Sequence, residues 1–308
     1  MSEDRPTSAQ DVSRRGLLSG SVAALVAGVA SRAVYAQAEG PAVTKGRINQ
    51  SVCAWSAKIP MNQLAPLCKQ LGLKGVDLVG KGDFALLKEH GLVGTMLGSH
   101  GIGKGFNRKE NHAECAAAVK KSIDVAAEAG FPNVICFSGN YWIPPVKDDP
   151  AKTARDRLDQ EAEGLANCVE GLKLVLPYAE EKKVNVIMEL LNDKRGHKNY
   201  MCHRTAWGAK LVRTLASERF KLLYDIYHMQ IDEGDVIDTI KEFKDCIGHY
   251  HTAGVPGRSN LDEDQELNYP AIMRTIANTG FKGYVAHEFS PKGDPIKALT
   301  AAVKLCDV

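Results

Sequence analysis

Eight short β-rich runs alternate with amphipathic stretches over about 260 residues of the 308-residue chain, which predicts a (β/α)8 TIM barrel. Two further observations favour the closed barrel over an open doubly wound sheet. No G-x-G-x-x-G turn follows the first run, so a dinucleotide fold has no foothold. Ionisable residues also gather at the ends of the last four runs, where a barrel of this kind carries its active site.

The segment 1–38 reads as a leader and 39–308 as a single barrel domain. Arg14 and Arg15 precede an uncharged run of small and aliphatic residues from Gly16 to Ala30, and Ala36-Gln37-Ala38 offers an A-x-A cleavage site. That run is too short and too weakly apolar to make a good spanning helix. The arginine pair followed by Gly-Leu-Leu resembles a twin-arginine export signal. The resemblance implies passage of folded protein through the twin-arginine machinery, a periplasmic location and cleavage after Ala38. An ordinary secretory signal or a retained anchor is the alternative.

The strands are expected at RINQSVC (47–53), GVDLV (75–79), VGTMLGSH (93–100), NVICFSG (133–139), NVIMELL (185–191), FKLLYDIYH (220–228), IGHYHTAG (247–254) and GYVAHEFS (283–290). Between them lie helical stretches such as ECAAAVKKSIDVAAEAG and DRLDQEAEGLANCVEGLKLVLPYAEEK, each closing near Gly or a Lys-rich turn. QELNYPAI opens the helix after the seventh strand, with Asn268 near its N-cap, Pro270 in its first turn and Glu266 read as a capping residue. GIGKGF has glycines, but no Walker lysine and Ser/Thr follow it, so it is no phosphate loop.

A hydrophobic content of 44% suffices for one large core. The net charge is +2, and the leader holds four Arg and three acidic residues, so the barrel is nearly neutral. Without a basic stripe, a nucleic-acid partner is excluded. The eight cysteines form no C-x-x-C pair, and several sit in apolar runs where a free thiol behaves as a small hydrophobe. A homo-oligomer stays open.

Four runs end in groups that an apolar strand should not hold: Glu189, Asp225, His251 and Glu288. An isolated buried carboxylate costs several kcal/mol. Three of them with an imidazole at equivalent heights of consecutive strands call for a shared cation, because like charges that close cannot all stay ionised alone. Three oxygen donors and one nitrogen suit one Mn²⁺ or Mg²⁺, with Zn²⁺ or Co²⁺ also accommodated. Side-chain alternation puts His249 and His251 on one face and points His287 and Glu288 oppositely.

The motifs MELLN, YDIYHMQ, GHYHTAGVPGR with ELNYP, and HEFSPKG resemble the hydroxypyruvate isomerase branch of the xylose isomerase-like barrels. The resemblance covers the chain after the leader and is looser toward its N-terminal side. It implies metal ligation by Glu189, Asp225, His251 and Glu288, with the two glutamates as the acid–base pair. His251 departs from the Gln found in some hydroxypyruvate isomerases and matches the sugar epimerases.

The expected function is a divalent-metal-dependent isomerase that interconverts an α-hydroxy aldehyde and ketone through an enediolate, with hydroxypyruvate as the leading substrate. The alternative is a ketose or keto-sugar epimerase, or a keto-sugar lyase, with the same site. His228 would hydrogen-bond a substrate oxygen. Arg258, on the loop after the seventh strand, would clamp a carboxylate. Trp55, His100, Tyr141 and Trp142 could wall the pocket but are left outside the site.

Overall fold

The computed structural model describes residues 40–308; the leader and its cleavage site lie outside the described residues. Eight parallel strands are described: β1 (Asn49–Cys53), β2 (Gly75–Asp77), β3 (Val93–Met96), β4 (Asn133–Cys136), β5 (Asn185–Glu189), β6 (Phe220–Asp225), β7 (Ile247–Thr252) and β8 (Tyr284–His287). Their order, β3-β2-β1-β8-β7-β6-β5-β4, sets β5 to β8 side by side. Between β3 and β4 a single parallel bridge, Leu97 with Val134, joins the two ends of the sheet. The amides of Leu97 and Ile135 make its two hydrogen bonds, to the carbonyls of Asn133 and Leu97, each at 2.9 Å. The predicted barrel therefore forms, with one thin seam.

Each crossover helix buries one stripe. In α1 (Met61–Leu71) the buried set Leu64, Leu67, Cys68 and Leu71 follows the i, i+3, i+4, i+7 spacing, and the helix stops at Gly72, whose φ of 90° is left-handed. The helix α2 (Phe84–Glu89) is short, and α3 (His112–Ala129) covers β4. The long stretch after β4 is two helices, α4 (Pro150–Leu172) and α5 (Leu176–Lys182), with Pro177 in the first turn of the second.

The sixth run also ends earlier than its composition suggests. β6 stops at Asp225, whose carboxylate accepts the His228 N–H at 3.2 Å and caps α7 (Ile226–Asp232). His228 is thus a helical residue. The helices α6 (Thr205–Leu215) and α8 (Val236–Glu242) follow β5 and α7, and α9 (Tyr269–Asn278) begins as expected, with Asn268 accepting from the Ala271 N–H at 3.3 Å. Glu266 caps nothing; its carboxylate accepts from Gln230 at 3.2 Å.

The glycine of GIGKGF that matters is Gly105. A Cβ there would stand 2.2 Å from the Ser138 carbonyl carbon, so the loop's close approach to the β4 end demands glycine. All eight cysteines are free and buried. After α10 (Pro295–Cys306), the Asp307 carboxylate accepts the N–H groups of Thr44, Lys45 and Gly46 at 2.8 to 2.9 Å, tying the last residues to the first described ones. No helix among the described residues is long and apolar enough to cross a membrane.

Candidate active site

The ends of β5 to β8 converge as their register requires. Asp225 pairs across the ladder with His251, and His251 in turn with Ala286, two residues before Glu288. Glu189, Asp225, His251 and Glu288 are all buried, and each offers a ligand atom within 4.8 Å of the others. His251 Nδ1 lies 2.8 Å from Glu288 Oε2 and 3.6 Å from Glu189 Oε1. The four predicted donors therefore form one cluster. Adjacent His287 faces the other way, to Thr252 and to Gln50 Oε1 at 2.9 Å, as alternation demands.

Burial raises the Glu189 carboxyl, and the nearby Glu288 charge adds to it. Burial acts the same way on Glu288, but the charges of His251 and Arg258 outweigh it and hold this carboxyl below the usual range. Burial also raises Asp225 despite Arg258. The two glutamates are thus pushed to opposite sides of their ordinary value, the arrangement that separates an acid from a base.

Arg258 sits closer to this cluster than a loop clamp would. Its Nη2 donates to Glu288 Oε2 at 2.6 Å and to Asp225 Oδ2 at 3.4 Å. The rings of Trp55 and Tyr227 each lie 5.5 Å from its guanidinium carbon, and its φ is +53°, a strained value of the sort found at ligand clamps. Its Nε is buried without a hydrogen-bond partner.

His228 is 1% exposed. Asn192 accepts the amides of Arg195 and Gly196 through Oδ1, at 2.9 and 2.7 Å, so its Nδ2 must donate to His228 Nδ1, 2.5 Å away. The ring proton then belongs on Nε2, which lies 3.6 Å from Asp225 Oδ2 and has no hydrogen-bond partner. Burial holds this imidazole well below its ordinary pKa, so it is neutral. A buried, unpartnered N–H beside the carboxylates is what a substrate oxygen would satisfy.

Several site residues escape sequence reasoning. Trp55, 48% exposed, donates its indole N–H to Glu288 Oε1 at 2.9 Å, so it belongs to the site from which it was left out. The signal was present, an aromatic directly after β1, but aromatics there are as often packing. A cavity of about 390 Å³, lined by Trp55, His100, Phe137, Glu189, Arg258 and Glu288 among others, opens over the cluster. His100 thus walls the pocket as well. Tyr141 does not; its hydroxyl donates to Glu161 Oε1 at 2.5 Å.

Three carboxylates and one imidazole beside a largely apolar cavity at the C-terminal mouth define a (β/α)8 barrel able to hold a single hard divalent cation. Comparison with known proteins makes the class specific. Residues 84–306 match the family described as "Xylose isomerase-like TIM barrel", and the chain belongs to that family. It is 30% identical to the hydroxypyruvate isomerase of Escherichia coli over 240 residues, covering 72% of this chain and 85% of that protein. It is 32% identical to the 2-oxo-tetronate isomerase of Cupriavidus necator over 127 residues, covering 41% and 48%. With its human and Drosophila relatives the chain shares 28% identity and spans about half their length, 52% and 55%. Among solved structures, the 3-keto-D-glucoside 4-epimerase of E. coli superposes with a TM-score of 0.66 over 83% of this chain and 97% of that one. At 17% identity this likeness speaks for the fold alone.

Proposed function

We propose that this protein is a divalent-metal-dependent isomerase of short α-hydroxy carbonyl compounds, acting through an enediolate, with hydroxypyruvate and tartronate semialdehyde as its substrate pair. The observation that carries the reading is the single cluster of Glu189, Asp225, His251 and Glu288 with a cavity over it. Similarity to the E. coli hydroxypyruvate isomerase and the C. necator 2-oxo-tetronate isomerase supports it.

The donor set fits Mn²⁺ or Mg²⁺, which when bound supplies Lewis-acid polarisation of the substrate carbonyl. The protein's own groups do the rest. One of Glu189 and Glu288 takes the C–H proton beside the carbonyl, and that bond's electron pair becomes the enediolate double bond. The other glutamate delivers a proton to the neighbouring carbon, and the oxygens exchange carbonyl and hydroxyl character, so the reaction needs no oxidant. The Nε2–H of His228 donates to a substrate oxygen, and the Arg258 guanidinium, its Nε unpartnered, receives the substrate carboxylate.

A keto-sugar epimerase is the second reading. It is favoured by the half-exposed ring of Trp55, which offers a sugar a stacking face, and by His251 where some hydroxypyruvate isomerases carry Gln. The deciding experiment incubates Mn²⁺-loaded protein in D2O with hydroxypyruvate and with neutral ketoses. Deuterium entering hydroxypyruvate, with tartronate semialdehyde appearing, is the expected result. Exchange confined to the ketoses favours the epimerase, and undiminished turnover in excess chelator rejects the metal.

Export through the twin-arginine machinery to the periplasm is proposed on the Arg14-Arg15 pair. Eight buried free thiols fit a chain that folds in a reducing compartment before export. Replacing both arginines by lysine should leave the protein unprocessed in the cytoplasmic fraction; normal periplasmic delivery would refute the route.

A further inference from the structure

Behind the donor cluster, on the far side of the His251 ring, lies a carboxylate that the reaction does not use. Asp77 ends β2, three places from β7 in the sheet order, and is fully buried with no Lys or Arg paired to it among the described residues. Its Oδ1 accepts from the hydroxyls of Ser51, at 3.0 Å, and Thr95. Its Oδ2 stands 2.7 Å from His249 Nε2 and 3.1 Å from His251 Nε2.

Two hydroxyls meet Oδ1 and two ring nitrogens meet Oδ2, a set that an ionised carboxylate satisfies in full by accepting from all four. An ionised carboxylate only accepts, so both ring nitrogens that face it carry hydrogen. The bare nitrogen of a neutral His249 is then Nδ1, which is buried without a partner, where a lone pair is less costly than an unpaired N–H. For His251 the consequence is functional. With Nε2–H held by Asp77, its other nitrogen, Nδ1, is the one that faces Glu189 and Glu288.

We propose that Asp77 is a positioning residue for the donor cluster. It fixes the His251 ring with Nε2–H turned into the barrel core, so that Nδ1, the nitrogen hydrogen-bonded to Glu288, is the one left to a divalent cation at the barrel mouth. His249 completes the device by donating to the same Asp77 oxygen, while Ser51 and Thr95 hold the other. The ligating role of His251 rests on the proposed metal site; the hydrogen-bond arrangement does not. Carboxylates that orient a ligating imidazole typically change metal affinity by ~10–100-fold when removed.

The test compares wild type with Asp77→Ala, which removes the oxygen that both rings face. Long-range ¹H–¹⁵N spectra of ¹⁵N-histidine-labelled protein, metal-free and with Mg²⁺, report which nitrogen of His251 is protonated, with His251→Gln providing the assignment. Mn²⁺ binding is followed in parallel by electron paramagnetic resonance. Wild type should show a protected Nε2 proton in both states. Asp77→Ala should lose it and bind Mn²⁺ ~10–100-fold more weakly at unchanged circular dichroism. Mn²⁺ affinity within twofold of wild type in the variant, or a wild-type His251 protonated only on Nδ1, would overturn the proposal. Should Asp77→Ala fail to fold, the wild-type spectrum still decides between the two tautomers. Wild type that shows the Nε2 proton yet takes up no Mn²⁺ would overturn the metal reading while upholding the Asp77 bond.

Discussion

Asn192 determines what His228 can offer a substrate. Its oxygen is committed to two backbone amides, so its nitrogen faces the ring and leaves the proton on Nε2. Asn192→Asp reverses this, because a carboxylate accepts from Nδ1–H and strips the donor from the site. Losing one neutral hydrogen bond of ~0.5–1.5 kcal/mol predicts a fall in kcat/KM of roughly 2- to 13-fold, measurable by steady-state kinetics. Glu189→Gln should cost more, ~10²–10⁴ in the rate of solvent deuterium exchange, if the carboxylate moves the proton; a rate near wild type would remove it from that role. The legibility of these residues differs for physical reasons. Glu189, Asp225, His251 and Glu288 announce themselves because a charge inside an apolar run demands a partner. Asp77 obeys the same rule in GVDLV, yet its partners His249 and His251 lie more than 170 residues away, so no local pattern marks it. Asn192 and Trp55 sit in loops, where no period shows which way a side chain points.

Among elements, strand positions were readable to within a few residues, while the joins were not. The run at 220–228 looks extended because Ile226, Tyr227 and His228 are bulky, but the Asp225 carboxylate captures the His228 amide and starts a helix. One side chain thereby both caps α7 and joins the donor cluster, a double use that composition cannot reveal. The Asp307 clamp is equally hidden, since it joins residues some 260 positions apart. Its folded carboxyl lies below the ordinary value because, although burial would raise it, the amides of Gly46, Lys45 and Thr44 outweigh burial. A depressed acid stabilises the fold fully above the unfolded value of ~3.9 and loses that contribution as pH falls through the lower folded one. Asp307→Ala should therefore lower stability by about 1–2 kcal/mol at neutral pH, the scale of a lost carboxylate cap, and the gap should close in acid. Denaturant titrations at pH 7 and pH 3 check both limbs.

For the whole molecule, a cation binding only the folded chain stabilises it by mass action, about 2.7 kcal/mol at a hundredfold excess over Kd. At ~2–4 °C per kcal/mol for a barrel of this size, saturating Mn²⁺ should raise Tm by roughly 5–10 °C, and chelator should reverse the gain. Burial keeps Glu189 above the ordinary ~4.3, so the metal-free fold is penalised as pH rises from there through the raised value. The thermal gain from Mn²⁺ should accordingly grow from pH 5 to pH 8, which calorimetry across that range would show. The architecture was legible at this scale because parallel strands with crossover helices allow few arrangements. The seam was not, since it depends on how far β3 and β4 fall short of each other. That seam lies against the cavity, whose wall includes Gly98, Ser99 and His100 on one bank and Ile135 and Phe137 on the other. Its ladder is reduced to two amide bonds, helped by side-chain bonds from Asn133 to the Thr95 carbonyl and from Ser99 to the Ile135 carbonyl. The amides of Leu97 and Ile135 should exchange with solvent sooner than those of β5 to β8, and a guest too wide for the resting chamber would enter by prising these two staves apart.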